Sequence, residues 1–138
     1  MSKILILCTG NSCRSQIAEG YLRKFVNGKA EVFSAGVEAH GLNPRAVKIM
    51  EEDNIDITNQ TSNNVAEYHG LEFDYIITVC DNAKERCPVF ASKAKRFHYN
   101  FPDPAKATGS EEEIMSQFRT VRELIKAYCQ DFVAKEVK

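Results

Sequence analysis

Apolar residues along the chain follow two rhythms that alternate. Lys3 to Cys8 is a short, continuous apolar run closed by a glycine-containing turn, which predicts a buried strand. From Arg14 the apolar positions Ile17, Ala18, Tyr21, Leu22 and Phe25 keep helical spacing, and Asn27-Gly28 supplies a stop. Glu31 to Ala35 predicts a second strand ending at Gly36. Asn43 and Pro44 read as the N-cap and first position of a helix with Ala46, Val47 and Met50 on one face. Phe73 to Cys80 is a third strand, rich in β-branched and apolar residues, and Lys95 to Phe101 alternates more weakly as a fourth. Ser110 and Glu113 have capping-box spacing, which places the acidic run Glu111 to Glu113 on a helix N-terminus. Ile114, Phe118, Val121, Ile125, Tyr128 and Phe132 then mark one long amphipathic helix whose stripe belongs to the core. Cys129 falls on or beside that stripe.

Strands alternating with helices predict an α/β fold. The expected form is a small doubly wound sheet of about four parallel strands, flanked by helices on both faces. Residues 1–138 are read as a single domain. In such sheets ligands bind beyond the carboxyl ends of the strands. Cys8 and Cys80 both stand at strand ends.

Composition narrows the class. The 138 residues are 43% hydrophobic and 27% charged, a balance typical of globular proteins. Their net charge of −1 carries no basic excess, which argues against a general nucleic-acid binder. The longest apolar run, Ile4 to Cys8, is too short to span a membrane, and no signal-peptide core follows Met1, so a cytoplasmic protein is expected. A monomer is the default state. The five cysteines are Cys8, Cys13, Cys80, Cys87 and Cys129, and an odd number in a reducing compartment argues against a disulfide framework. Metal binding, thiol chemistry or burial remain. The spacing of Cys80 and Cys87 lacks the short knuckle of a zinc site, and His40, His69 and His98 show no ligand spacing with it, so no metal is expected.

The first strand runs straight into Cys8-Thr9-Gly10-Asn11-Ser12-Cys13-Arg14-Ser15. A thiol, five small residues and an arginine can curl around a tetrahedral oxyanion. Gly10 and Asn11 tolerate positive φ, so successive N–H groups can turn inward as an anion nest, joined by the dipole of the following helix. Arg14 offers a planar fork for two oxygens. The same field is expected to favour the Cys8 thiolate, with a pKa in the range of roughly 3.5–7.5 typical of activated cysteines. Ser15 is placed to donate to that sulfur. The chemistry implied is attack by sulfur on a phosphate-like oxyanion.

The run from Cys8 to Gly20 (Cys-Thr-Gly-Asn-Ser-Cys-Arg-Ser-Gln-Ile-Ala-Glu-Gly) resembles the signature of the low-molecular-weight tyrosine phosphatase superfamily. It is more closely similar to the thioredoxin-coupled arsenate reductases built on that fold. The resemblance continues through Ser34-Ala35-Gly36, His40 to Pro44, Ile55 to Ile57, Thr61-Ser62, Thr78 to Cys80, Cys87-Pro88 and Asp103 to Ala105, which is nearly the whole chain in order.

The resemblance implies reduction of arsenate to arsenite, for arsenic detoxification, with phosphate and sulfate as competing oxyanions. The catalytic set it implies is Cys8, Cys80, Cys87, Arg14 and Asp103, with Thr9, Gly10, Asn11, Ser12, Cys13, Arg14 and Ser15 around the oxyanion. Cys8 attacks arsenate, Cys80 attacks Cys8, and Cys87 receives the disulfide, which thioredoxin reduces; no tightly bound cofactor is implied. The charged stretch from Asp81 to Arg86 would rearrange to expose the last disulfide. A retained Cys87 favours thioredoxin over glutaredoxin as the electron donor. Asp103 matches the general acid, although Asp-Pro by itself reads as a turn.

The alternative is a low-molecular-weight protein tyrosine phosphatase, which needs only one thiol. Two departures count against it. Ala105-Lys106-Ala107 stands where those enzymes carry aromatic residues, and Gln16 stands where they commonly carry proline. A phosphocysteine carrier has no use for Arg14 and Asp103, and a thiol redox sensor has no use for the oxyanion loop. Asn11 is expected to hold the loop in a strained conformation through its side chain, with Ser34 assisting. Some relatives hold potassium through residues matching Asn11, Glu19, Ser34 and an aspartate. That last position is Asn63 here, one charge fewer, so the reading leans against the ion. Cys13 and Cys129 are given no redox role.

Overall fold

Four parallel strands form one sheet in the order β2-β1-β3-β4. They are β1 (Ser2–Cys8), β2 (Ala30–Gly36), β3 (Tyr75–Thr78) and β4 (Lys95–His98). The helices are α1 (Arg14–Val26), α2 (Pro44–Glu52) and α3 (Glu111–Glu136), with short 3-10 turns at Val65–Tyr68 and Pro104–Lys106. The structure is a computed structural model, and it describes residues 1–68, 70–80 and 94–137. The expected transfer site Cys87, the segment 81–86 and His69 lie outside those residues.

β1 is the central strand, and Ile4 through Leu7 have no exposed surface, so both faces of the sheet are covered. On one face Ile4 and Ile6 share their register with Val32, Ser34, Tyr75 and Ile77. α1 and α3 cover this side, where Phe132 meets the rings of Tyr75 and Phe97 edge-on. On the other face Phe33 packs edge-on against Tyr68 and Phe73. α2 joins the α1 side. A Cβ on Gly20 would come within 2.9 Å of Met50 and Ile57, so the small residue lets α1 seat closely there.

Local chemistry sets the element ends. Asn27, at φ 46°, closes α1 in the left-handed region. The Asn43 side chain accepts from the N–H groups of Arg45 and Ala46, and Ser110 with Glu113 completes the capping box. Two strands are shorter than their apolar patterns predict. β3 ends at Thr78, although Val79 N still donates to Leu7 O; β4 ends at His98, although Phe101 N donates to Val79 O. The chain therefore leaves both strands gradually, and Pro102, without an N–H, cannot extend the ladder. The buried face of α2 is Ala46, Ile49 and Met50, with the predicted Val47 only half-buried.

Cys129 is buried on α3 and its thiol donates to Ala18 O at 3.7 Å, which ties α3 to α1. Cys129→Ala should lower unfolding free energy by about 1–2 kcal/mol through the small cavity left behind. Denaturant unfolding checks the loss, and turnover by the folded variant should be unchanged.

Candidate active site

Strand order reverses at β1, with β2 on one side and β3 on the other, so a crevice opens at the carboxyl ends of β1 and β3. Cys8 ends β1, and Cys80 lies two residues beyond β3. The two thiols are neighbours, close enough for Cys80 to act on Cys8, and Thr9 Oγ1 stands 3.2 Å from Cys80 Sγ. Parallel pairing of β1 with β3 in the register Leu7 to Thr78 brings them together.

The loop from Cys8 to Arg14 is held from outside by its carbonyls. Val37, Glu38, His40 and Asn43 donate their backbone N–H groups to the carbonyls of Cys8, Thr9, Gly10 and Ser12 at 3.3, 2.9, 2.9 and 3.0 Å. The Gln16 amide donates to the carbonyl of Asn11 at 2.9 Å. A planar trans peptide sets each N–H opposite the preceding carbonyl. With five carbonyls drawn outward, the amides of Thr9 through Cys13 turn toward the loop interior. That arrangement is an anion nest, and α1 begins at Arg14 with its dipole on the same spot.

Asn11 takes φ 48° in this loop. Its fully buried side chain donates from Nδ2 to Ser15 Oγ at 2.8 Å and to Ser34 Oγ at 2.9 Å, while Oδ1 accepts from Asn63 N at 2.7 Å. These three bonds meet the cost of the strained backbone. Arg14 is buried, with Nη1 donating to Phe101 O at 3.0 Å and Nη2 lying 3.5 Å from Asp103 Oδ2. Asp103 also caps the Pro104–Lys106 turn, accepting from Ala105 N at 3.0 Å. The turn reading and the acid position therefore coexist. Loop, Arg14, Asp103, Cys8 and Cys80 form one constellation. A nucleophile, a second thiol, an anion nest and a carboxyl group at one edge can perform thiol displacement on a tetrahedral oxyanion.

Residues 3–138 match the low molecular weight phosphotyrosine protein phosphatase family. The chain belongs to that family. It is 51% identical over 127 residues to an arsenate reductase of Oceanobacillus iheyensis, covering 91% of each chain. It is 46% identical over 129 residues to an arsenate reductase of Bacillus subtilis, covering 94% of this chain and 93% of that one. A solved arsenate reductase in its oxidised state superposes with a TM-score of 0.84 at 31% identity over 98% of each chain. That reductase thus shares the fold of this chain.

One expectation is reversed. Cys8 does not have a lowered pKa here: its hydrogen bond to Cys80, and then burial, push the thiol well above the ordinary range. Arg14 and the Thr9 N–H pull the other way and do not prevail. The sequence pattern showed the favourable field but not a second thiol beside the first, which makes the two titrate as one coupled pair in successive steps. Burial, and then the Asp103 carboxylate, push Cys13 up to about 12.

Three contributors went unread in the sequence. A Cβ on Gly36 would fall within 2.7 Å of Asn11 N and Thr9 O, so the loop rests directly on β2. A Cβ on Gly10 would fall 2.5 Å from His40 Nδ1, so the imidazole roofs the loop, where Glu38 holds its Nε2 at 2.8 Å. Gln16, noted only as a departure from proline, is fully buried, and its amide also donates to Thr61 O at 3.0 Å. Glycines at a strand end and a spaced His-Gly were the visible signals.

Gly36→Ala should displace the loop, costing about 1–3 kcal/mol of stability and abolishing oxyanion binding. Thermal unfolding and titration with inorganic phosphate check this. The raised thiols set a second expectation. The native state keeps protons on Cys8, Cys13 and Cys129 that the unfolded chain releases near pH 8.5. Stability should therefore be full below about pH 8.5 and fall as pH rises toward the folded values. Melting temperatures in reducing buffer from pH 8 to about 10.5 should decline, and less steeply for Cys129→Ala.

Proposed function

We propose that the protein is an arsenate reductase that carries its oxidising equivalents through Cys8, Cys80 and Cys87 to thioredoxin. The observation that carries this reading is the placement of Cys80 beside Cys8 at the mouth of an oxyanion loop. A phosphatase needs one thiol there. Reduction of arsenate needs two electrons, and two thiols becoming a disulfide supply them. The 46–51% identity to arsenate reductases of Oceanobacillus iheyensis and Bacillus subtilis supports the same substrate.

The oxyanion enters the nest of amides from Thr9 to Cys13, with Arg14 on its outer oxygens. Its negative charge holds Arg14 in the site, and its bulk parts Cys8 from Cys80, which removes the largest influence that keeps Cys8 protonated. The Cys8 sulfur displaces an arsenate hydroxyl, the Cys8 thiol proton passing by way of Asp103 to the departing oxygen so that it leaves as water, and a sulfur–arsenic(V) bond forms. Cys80 then attacks Cys8 Sγ. The sulfur–arsenic bond breaks, its electron pair reduces arsenic(V) to arsenic(III), and arsenite leaves behind a Cys8–Cys80 disulfide. Cys87 attacks Cys80, Cys8 departs as thiolate, and the Cys80–Cys87 disulfide is reduced by the dithiol of thioredoxin. No tightly bound cofactor takes part. The small side chains of Ala105 and Ala107 offer no ring to grip a phenol, which disfavours the phosphatase alternative.

Oxidation of NADPH in the presence of thioredoxin and thioredoxin reductase tests the proposal. The wild type should consume NADPH only when arsenate is added. Cys8→Ser should consume none. Cys87→Ser should release about one arsenite per protein and stop as the Cys8–Cys80 disulfide. A wild type indifferent to arsenate refutes the reaction, and a Cys87→Ser variant with normal turnover refutes the relay.

A further inference from the structure

Glu19 is a carboxylate that the relay does not use, and only 6% of its side chain is exposed. Burying such a charge is costly unless it is paired and hydrogen-bonded. Arg23, one turn along α1, donates from Nε to Glu19 Oε2 at 2.8 Å and from Nη2 to Val32 O on β2 at 2.8 Å. Ser34 donates to Glu19 Oε1. A hydroxyl has one proton, so giving it to Glu19 leaves the Ser34 oxygen as acceptor for Asn11 Nδ2. The carboxylate thereby sets the direction of every bond in the row from Arg23 to Glu19, Ser34 and Asn11. That row ends on the residue that gives the oxyanion loop its positive φ.

Some relatives hold potassium through residues matching Asn11, Glu19, Ser34 and the position of Asn63, and the sequence leans against the ion here. These residues do not fit an ion here. Arg23 covers Glu19 Oε2, and Asn11 turns its amide nitrogen, not its oxygen, toward Ser34. Asn63 is neutral, its Oδ1 accepts from Thr61 at 2.7 Å, and its Nδ2 donates to Glu67 at 3.2 Å. A hard cation requires oxygen lone pairs turned toward one point, and these are already engaged.

We infer that Arg23 is an internal counter-ion for Glu19, a positioning residue that fixes the oxyanion loop through Ser34 and Asn11 and makes a potassium ion unnecessary. The inference rests on the loop holding an oxyanion, not on the disulfide relay.

Phosphate binding and arsenate kinetics in tetramethylammonium chloride and in potassium chloride test it. The wild type should behave alike in both salts. In tetramethylammonium, Arg23→Ala should bind inorganic phosphate on the order of tenfold more weakly, with KM for arsenate raised by the same factor and kcat changed less. Potassium should restore the variant, because removing the guanidinium frees Glu19 beside a cleft of about 330 Å³ that Ser34, Asn63 and Tyr68 also line. Arg23→Lys should keep most of the affinity. In a Glu19→Gln background the Arg23→Ala change should have no further effect and no salt dependence. A wild type that needs potassium overturns the inference, and so does an Arg23→Ala variant that binds phosphate normally in tetramethylammonium. A loss that neither potassium nor lysine repairs overturns it as well, since it would make Arg23 a packing residue. A failed relay would instead appear as absent arsenate turnover with phosphate binding intact.

Discussion

The hydrogen bonds that draw the loop carbonyls outward are the interaction on which the site depends. Backbone amides at residues 37, 38, 40 and 43 and the Gln16 side chain take those of Cys8 through Ser12. Each such bond contributes only about 1 kcal/mol net, but it fixes a peptide plane, and five fixed planes turn five N–H groups inward. The donors belong to the segment after β2 and to α1. The cradle is therefore built between elements, and its shape is as rigid as the β1–β2 pairing behind it. Gly36 is the contact point, and any side chain there would separate the two layers.

The same parallel sheet creates the thiol pair. In-register pairing of β1 with β3 delivers Cys8 and Cys80 to one edge, with Thr9 bonded to the second sulfur. Closeness has an electrostatic consequence opposite to the effect of the loop field. Two buried thiols in contact resist a charge on Cys8, whereas amides, helix dipole and Arg14 favour it. The balance changes when an oxyanion occupies the nest, so the proposed chemistry couples substrate entry to nucleophile activation. Arg14 sits at this junction, held by the Phe101 carbonyl and Asp103.

Much of this was legible along the chain. Strand and helix positions followed from apolar spacing, and capping residues Asn43 and Ser110 marked helix starts because their side chains act on N–H groups within three residues. The loop, Arg14 and the roles of Asn11 and Ser34 were readable because backbone tolerance and hydrogen-bonding capacity are properties of residue type. Strand ends were less so, since the ladder fades through Val79 and Tyr99 rather than stopping at a breaker. Nothing along the chain marked Arg23 as the partner of Glu19; the burial of Glu19 and the bond of Arg23 to Val32 depend on β2 lying across α1. His40 over Gly10 was invisible for the same reason, as was the reach of Gln16 to Thr61.

By itself the sequence determined the alternation of strands and helices, the length of the oxyanion loop and the kinds of side chain available at strand ends. These are local matters of periodicity, conformational freedom and donor count. Only the tertiary structure decided that Cys8 and Cys80 stand side by side, that Arg23 serves a buried carboxylate, and that the Cys8 thiol is raised rather than lowered. Each of those depends on which distant groups share a low-dielectric space, and a one-dimensional pattern carries neither burial nor distance.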